Sequence, residues 1–224
     1  MRRFLLVLMV VASSCAHIRT EEQREITSAV RLEITHRLAL GPDSVTQEGS
    51  CSGVAISHDL ILTAGHCGVA HVPPDLAGSG VTASIGSITI FDYASRELCL
   101  AEVVAVDEDK DLALFRSKCW LPDHSDIGLF SPPAGAKVTN VAYPLGIEFP
   151  IMTDGYLTVT IHGGRLDGLV IGSFPVLPGG SGSPVFYRGA VVGIVSRGTP
   201  RSNHHVAMSA SWTSIRDFLA GIKK

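Results

Sequence analysis

Pro178-Gly179-Gly180-Ser181-Gly182-Ser183-Pro184-Val185-Phe186 sets one serine hydroxyl among glycines and then runs into an apolar stretch. Glycine reaches φ/ψ regions closed to other residues, so Gly179 and Gly180 let the backbone turn with its amides on one side. Such a turn can be an ordinary loop, a phosphate cradle or a platform for Ser181. A phosphate loop carries a lysine directly after its glycines. Here Ser183 and Pro184 follow instead, which leaves Ser181 as the group of interest.

Two further segments stand out upstream of this turn. Thr63-Ala64-Gly65-His66-Cys67 follows the apolar run Leu60–Leu62, and Asp109-Lys110-Asp111 runs straight into Leu112-Ala113-Leu114. A serine hydroxyl is a weak nucleophile at neutral pH. An imidazole can take its proton as it attacks, and a carboxylate behind the ring can hold that imidazole in the correct tautomer. His66 next to Cys67 and His71 could also suggest a metal site, but no second cluster of ligands accompanies them, and no metal or other cofactor is expected. Asp107, Glu108 and Asp109 read as a solvated acidic turn, His204-His205 as a solvated loop, and Trp212 and Phe218 as core.

The rest of the chain is punctuated by Gly, Pro, Asp and Ser. Between these breaks, short apolar or alternating runs predict strands. They cover Ala29–Thr35, Gly53–Ser57, Leu60–Thr63, Val81–Ile85, Leu100–Val106, Leu112–Phe115 and Lys137–Ala142. Tyr156–Ile161, Leu169–Gly172, Val185–Tyr187, Val191–Ser196 and Val206–Ser209 complete the set. Many short strands argue for antiparallel barrels or sandwiches. Val72–Gly80 and Ser131–Ala136, each with two prolines, read as loops, and the second divides the chain into halves. Trp212, Ile215, Phe218, Leu219 and Ile222 recur at helical spacing, with Ser211 or Thr213 as cap.

Arg2 and Arg3, the apolar run Phe4–Ala12 and the small residues Ser13 to Ala16 form a secretory signal. It is either cut after Ala16 or ends in a lipoprotein site, with Cys15 as the lipidated first residue. Residues 16–27 read as a flexible, charged lead-in. An apolar run this short cannot span a bilayer, which takes about 20 residues. The formal net charge is −3 with no basic patch, which argues against a nucleic-acid partner. Export places the chain in the periplasm, in the cell envelope or outside the cell. The four remaining cysteines, Cys51, Cys67, Cys99 and Cys119, then suggest two disulfides, with three possible pairings.

In their order His, Asp, Ser, the three segments resemble the chymotrypsin/trypsin-like serine proteases. Gly-Ser-Gly-Ser-Pro-Val-Phe and Ala142-Tyr143-Pro144-Leu145-Gly146 look most like the bacterial HtrA-type and glutamyl-endopeptidase-type members. The resemblance runs from about Ala29 onward. It implies an all-β fold: two six-stranded antiparallel barrels at residues 28–125 and 126–210, then a C-terminal helix at 211–224. It implies a serine endopeptidase acting through an acyl-enzyme on protein or peptide substrates. The rival reading is a protease-like binding or regulatory protein without turnover. By resemblance, His66 is the base, Asp111 its orienter and Ser181 the nucleophile. The amides of Gly179 and Ser181 form the oxyanion hole, and Ser196 supports Asp111. Pro175, Val176, Pro178, Val195, Ser196, Arg197 and Gly198 line the substrate pocket. Cys51 and Cys67 are separated by 16 positions, the family's usual spacing for the bridge beside the histidine. Cys99 and Cys119 flank the Asp111 segment and form the second expected pair, which no family pattern requires.

The chain also departs from that pattern. Gly180 stands where many members carry an aspartate that pairs with a freed N-terminus, so activation by N-terminal insertion is not expected. Pro175 stands where trypsin-type enzymes place the carboxylate that attracts Lys or Arg. Val195 cannot act as the histidine of glutamate-specific relatives. The expected residue before the scissile bond is therefore small or medium-sized and apolar. The resemblance is expected to stop at the protease unit, without a following peptide-binding domain of about 90 residues.

Overall fold

Gly41 sits at φ 58 and turns the chain back on itself, so that β1 (Ala29–Leu40) and β2 (Asp43–Ala55) pair along their whole length, from Ala29↔Val54 to Leu40↔Asp43. The inner half of this hairpin buries Val30, Leu32, Ile34 and Cys51, while residues 43–48 are exposed. The computed structural model describes residues 20–161, 168–198 and 206–222. Cys15, the signal segment, His204 and His205 lie outside the described residues.

Four more strands close the first sheet: β3 (Leu60–Ala64), β4 (Thr82–Phe91), β5 (Glu97–Asp107) and β6 (Leu112–Ser117). They join in the order β1-β2-β3-β6-β5-β4, an antiparallel closed barrel. The second barrel takes β7 (Lys137–Ala142), β8 (Ile151–Thr160), β9 (Leu169–Gly172), β10 (Pro184–Tyr187), β11 (Ala190–Gly198) and β12 (Ala207–Ser211) in the order β10-β11-β12-β9-β8-β7. Closure removes exposed strand edges. The expected two six-stranded barrels and the C-terminal helix are thus present.

Each barrel has its own apolar filling. Leu32, Ile34, Ile61, Ile88, Ile90 and Phe115 fill the first, and Val138, Leu157, Val170, Phe174, Val185 and Val192 the second. A third cluster joins Val54, Leu62, Leu112 and Leu114 of the first barrel to Val141, Tyr143, Phe186 and Ile194 of the second. A seam built of core residues fixes the barrels against each other. The Tyr143 hydroxyl crosses it and donates to the Ala29 carbonyl at 3.1 Å. The helix α2 (Trp212–Gly221) buries Ile215 and Phe218 in the same seam. The Ser211 hydroxyl caps it by accepting from the Ser214 amide at 3.3 Å.

The charged segment read as a lead-in contains a helix, α1 (Glu21–Ser28). Its start is a capping box: the Thr20 hydroxyl accepts from the Gln23 amide, and the Gln23 side chain accepts from the Thr20 amide. Hydrophobic spacing could not reveal this helix, because Glu25 and Ser28 supply its buried face.

Candidate active site

Gly65 starts the short 3-10 turn Gly65–Gly68, which carries His66 from the end of β3. A β-carbon at Gly65 would stand 2.8 Å from the Leu112 amide nitrogen and 2.9 Å from the Asp111 carbonyl carbon. The missing side chain therefore lets the two turns touch, β3 and β6 being paired from Leu60↔Arg116 to Ala64↔Leu112. Asp111, at φ 51, is the last residue before β6. Aspartate tolerates that left-handed conformation better than most side chains.

The two side chains then meet closely. The Asp111 carboxylate lies 3.0 and 3.1 Å from His66 Nδ1, and it also accepts from the His66 backbone amide at 2.9 Å. A further donor is the Ser196 hydroxyl, which hydrogen-bonds Asp111 Oδ2. Asp111 is only 9% exposed. Burial pushes its carboxyl pKa up, but the hydrogen bonds from His66 and Ser196 outweigh that and hold it at about 2. The carboxylate is therefore ionised at neutral pH and faces His66 Nδ1 as a hydrogen-bond acceptor.

Ser196 reaches Asp111 because β11 is irregular there. Val195 pairs with Ser209 and Arg197 with Met208, which leaves Ser196 as the extra residue of a bulge. Bulges re-aim side chains beside active sites.

Ser181 is delivered by the loop between β9 and β10, which the first barrel grips. The Ser52 amide donates to the Ser181 carbonyl at 2.8 Å, and the Ser52 hydroxyl donates to the Gly179 carbonyl at 2.9 Å. The same hydroxyl accepts from the Tyr143 amide at 2.9 Å. Gly182, at φ 82, completes the contact: a β-carbon there would lie 2.1 Å from Thr63 Oγ1 and 2.2 Å from the Ser52 carbonyl oxygen. Ser52 is thus a positioning residue that the sequence did not single out, its only signal being a small polar residue next to Cys51.

His66, Asp111 and Ser181 line one open cavity of about 640 Å³ with Ser196, Val176, Pro178, Arg197 and Gly198. Leu177 lines it as well, and so do Val69, His71 and Glu108, which were not anticipated there. Among the described residues, no hydrogen bond joins the Ser181 hydroxyl to the His66 ring. Such contacts commonly tighten only with substrate in place. Two of the expected pocket residues lie elsewhere. Val195 is fully buried in the second barrel, because its side chain points inward just before the bulge. Pro175 lines a separate cavity of about 70 Å³ behind the loop, with Val176 and Leu177 forming the partition.

Cys51 and Cys67 form one disulfide and Cys99 and Cys119 the other. The first ties β2 to the turn carrying His66. Donor atoms of Cys51, His66 and Cys67 lie within 4.8 Å of one another, but both sulfurs are bonded to each other and supply no thiolate.

Residues 51–194 match the family model of the trypsin-like peptidase domain. That span contains all three segments picked out above and more than half of the chain. The chain belongs to the trypsin-like peptidase family. It is a serine endopeptidase. No curated protein matches it by sequence. Among solved structures it is similar to the active form of the Rv3671c protease from M. tuberculosis, at 20% identity and a TM-score of 0.68, over 90% of this chain and 83% of that one. The serine endoprotease from Yersinia pestis matches at 18% identity and 0.66, over 91% and 66%. An HtrA-type protease, AlgW, solved with a decapeptide, matches at 16% and 0.68, over 89% and 63%. At such identities the likeness is one of fold. The peptidase carries two disulfides, which places it outside the reducing cytoplasm. Among the described residues, no helix is long and apolar enough to cross a membrane.

Proposed function

We propose that this peptidase hydrolyses peptide bonds through an acyl-enzyme on Ser181, with His66 as general base and Asp111 as the residue that orients and charges it. The observation that carries the reading is the Asp111 carboxylate, buried, ionised and fixed on His66 Nδ1 within the cavity that Ser181 also lines. His66 Nε2 takes the Ser181 proton as Oγ bonds to the substrate carbonyl carbon. It returns that proton to the departing amine as the C–N bond breaks. Water repeats the sequence on the ester and frees Ser181.

The tetrahedral oxyanion needs donors, and peptide planarity supplies them. In a trans peptide the C=O and N–H point in opposite directions, and no described peptide is cis. The Pro178 carbonyl is tied down by the Leu145 amide at 2.5 Å and the Gly180 carbonyl by the Ser183 amide at 3.1 Å. The N–H groups of Gly179 and Ser181 therefore point the other way, and neither donates to another described residue. Substrate backbone lies along β11, where pairing with β10 ends at Pro184↔Ile194 and residues 196–198 run on beside the cavity. Uncharged Val176, Leu177, Pro178 and Gly198 favour a small or medium apolar side chain before the scissile bond.

The enzyme acts on proteins or peptides outside the cytoplasm, in the periplasm or envelope or after secretion. Any membrane attachment is through lipid at Cys15, which mass spectrometry of the mature N-terminus decides. A fluorophosphonate probe is expected to label the folded protein and not Ser181→Ala, and only the former is expected to cleave casein. Labelling of neither would replace this reading with a binding role on a protease scaffold.

A further inference from the structure

The 640 Å³ cavity is lined by two charged side chains outside the Asp111–His66 pair, Glu108 and Arg197. Glu108 stands on the first-barrel wall, in the turn before β6, and Arg197 on the second, in β11. Both are exposed, and among the described residues neither forms an ion pair. Other charges of this protein do pair closely: Arg96 with Asp92 at 2.6 Å, Lys110 with Asp107 at 2.7 Å and Lys137 with Asp154 at 2.7 Å.

Arg197 is anchored at its root. Its Nε lies 3.3 Å from the Ser196 hydroxyl, which is itself bound to Asp111. This contact occupies one N–H of the guanidinium and leaves the terminal nitrogens free for a carboxylate. Arg197 also lies within residues 196–198, where β11 runs past the end of β10. A strand added along that stretch places one side chain directly opposite Arg197 on the same face, at the cross-strand separation of about 5 Å. Val176, Leu177, Pro178 and Gly198, the uncharged residues beside Ser181 in this cavity, offer no charge to the residue at the scissile bond.

We infer that the peptidase selects substrates by a carboxylate side chain lying against Arg197, next to an uncharged residue at the scissile bond. Glu108 strengthens the selection: it discourages the same carboxylate from lying against the first-barrel wall. This inference rests on the proposed proteolysis and adds the class of substrate: an acidic flank beside an apolar cleavage site.

The test begins with fluorophosphonate labelling of the wild type, Arg197→Gln and Arg197→Glu, which reads Ser181 without any peptide contact to Arg197. Quenched peptides then carry Glu, Gln or Lys at each of the three positions before a fixed apolar residue. The wild type is expected to prefer Glu over Lys by about fivefold in kcat/KM at one of those positions, with the preference shrinking at high salt. Arg197→Gln is expected to abolish the preference and Arg197→Glu to reverse it. Labelled proteins with one common ranking would overturn the inference and leave the proteolysis standing. A wild-type preference for Glu that high salt does not weaken also overturns it, even if a variant misfolds. Failure to label the wild type would remove both.

Discussion

Replacing Ser196 with alanine removes a single hydroxyl, and its effect should depend on pH in a way that a packing change would not. Asp111 accepts from three donors: the His66 amide at 2.9 Å, His66 Nδ1 at 3.0 Å and the Ser196 hydroxyl. Burial alone would raise its pKa, yet these bonds hold it at about 2 against an ordinary 3.8. A drop of that size corresponds to about 2 kcal/mol in favour of the ionised form. The hydrogen bond from His66 lowers the pKa most and that from Ser196 next, and one hydrogen bond to a charged group is worth about 1.5–3 kcal/mol. Because the folded pKa is depressed, this stability is present above pH 3.8 and is lost as pH falls through about 2. Ser196→Ala should therefore cost about 2 kcal/mol at pH 7 and much less near pH 2. Urea titrations of both proteins in a Ser181→Ala background, which excludes self-digestion, measure the difference at each pH. With Ser181 restored, kcat/KM should also fall, because the carboxylate holds His66 less firmly. Equal destabilisation at both pH values would refute the reasoning, since it would mean that the hydroxyl only fills space.

Glu25 provides a test of opposite sign. Burial, then the Glu21 charge, raises its pKa to about 7, so the neutral acid suits the fold and stability falls as pH rises from about 4.5 through 7. Glu25→Gln should raise Tm at pH 8 and leave it nearly unchanged at pH 4, as thermal melts would show. Gly182→Ala should abolish activity and destabilise by more than about 3 kcal/mol, because its φ of 82 and two contacts near 2 Å leave no room for a methyl group. A soluble, fully active variant would contradict that geometry. Thr153→Val should stabilise by about 1 kcal/mol in denaturant, because Thr153 Oγ1 is buried with no hydrogen-bond partner among the described residues.

The candidate site was legible because the chemistry the resemblance implies leaves few residue types to choose from, and the three segments that supply its residues are each short and local. A histidine after an apolar strand, an aspartate before one and a serine between glycines could be read from single windows of sequence. What escaped the sequence depends on surfaces meeting at a distance. Residues 43–48 of β2 are exposed, so no burial alternation marks that end of the strand. Helix α1 buries a glutamate and a serine where periodicity searches for leucines. Ser52 lies 129 positions before the carbonyl it holds at Ser181, and nothing near Cys51 announces it. Val195 and Pro175 were misplaced for a related reason: one bulge and one partition wall separate residues that adjacency in sequence groups together. The same bulge that spoils the register sends Ser196 to Asp111 and leaves Arg197 facing the cleft. The feature least visible in the sequence is therefore the one through which the second barrel reaches the first barrel's carboxylate and also lines the cleft.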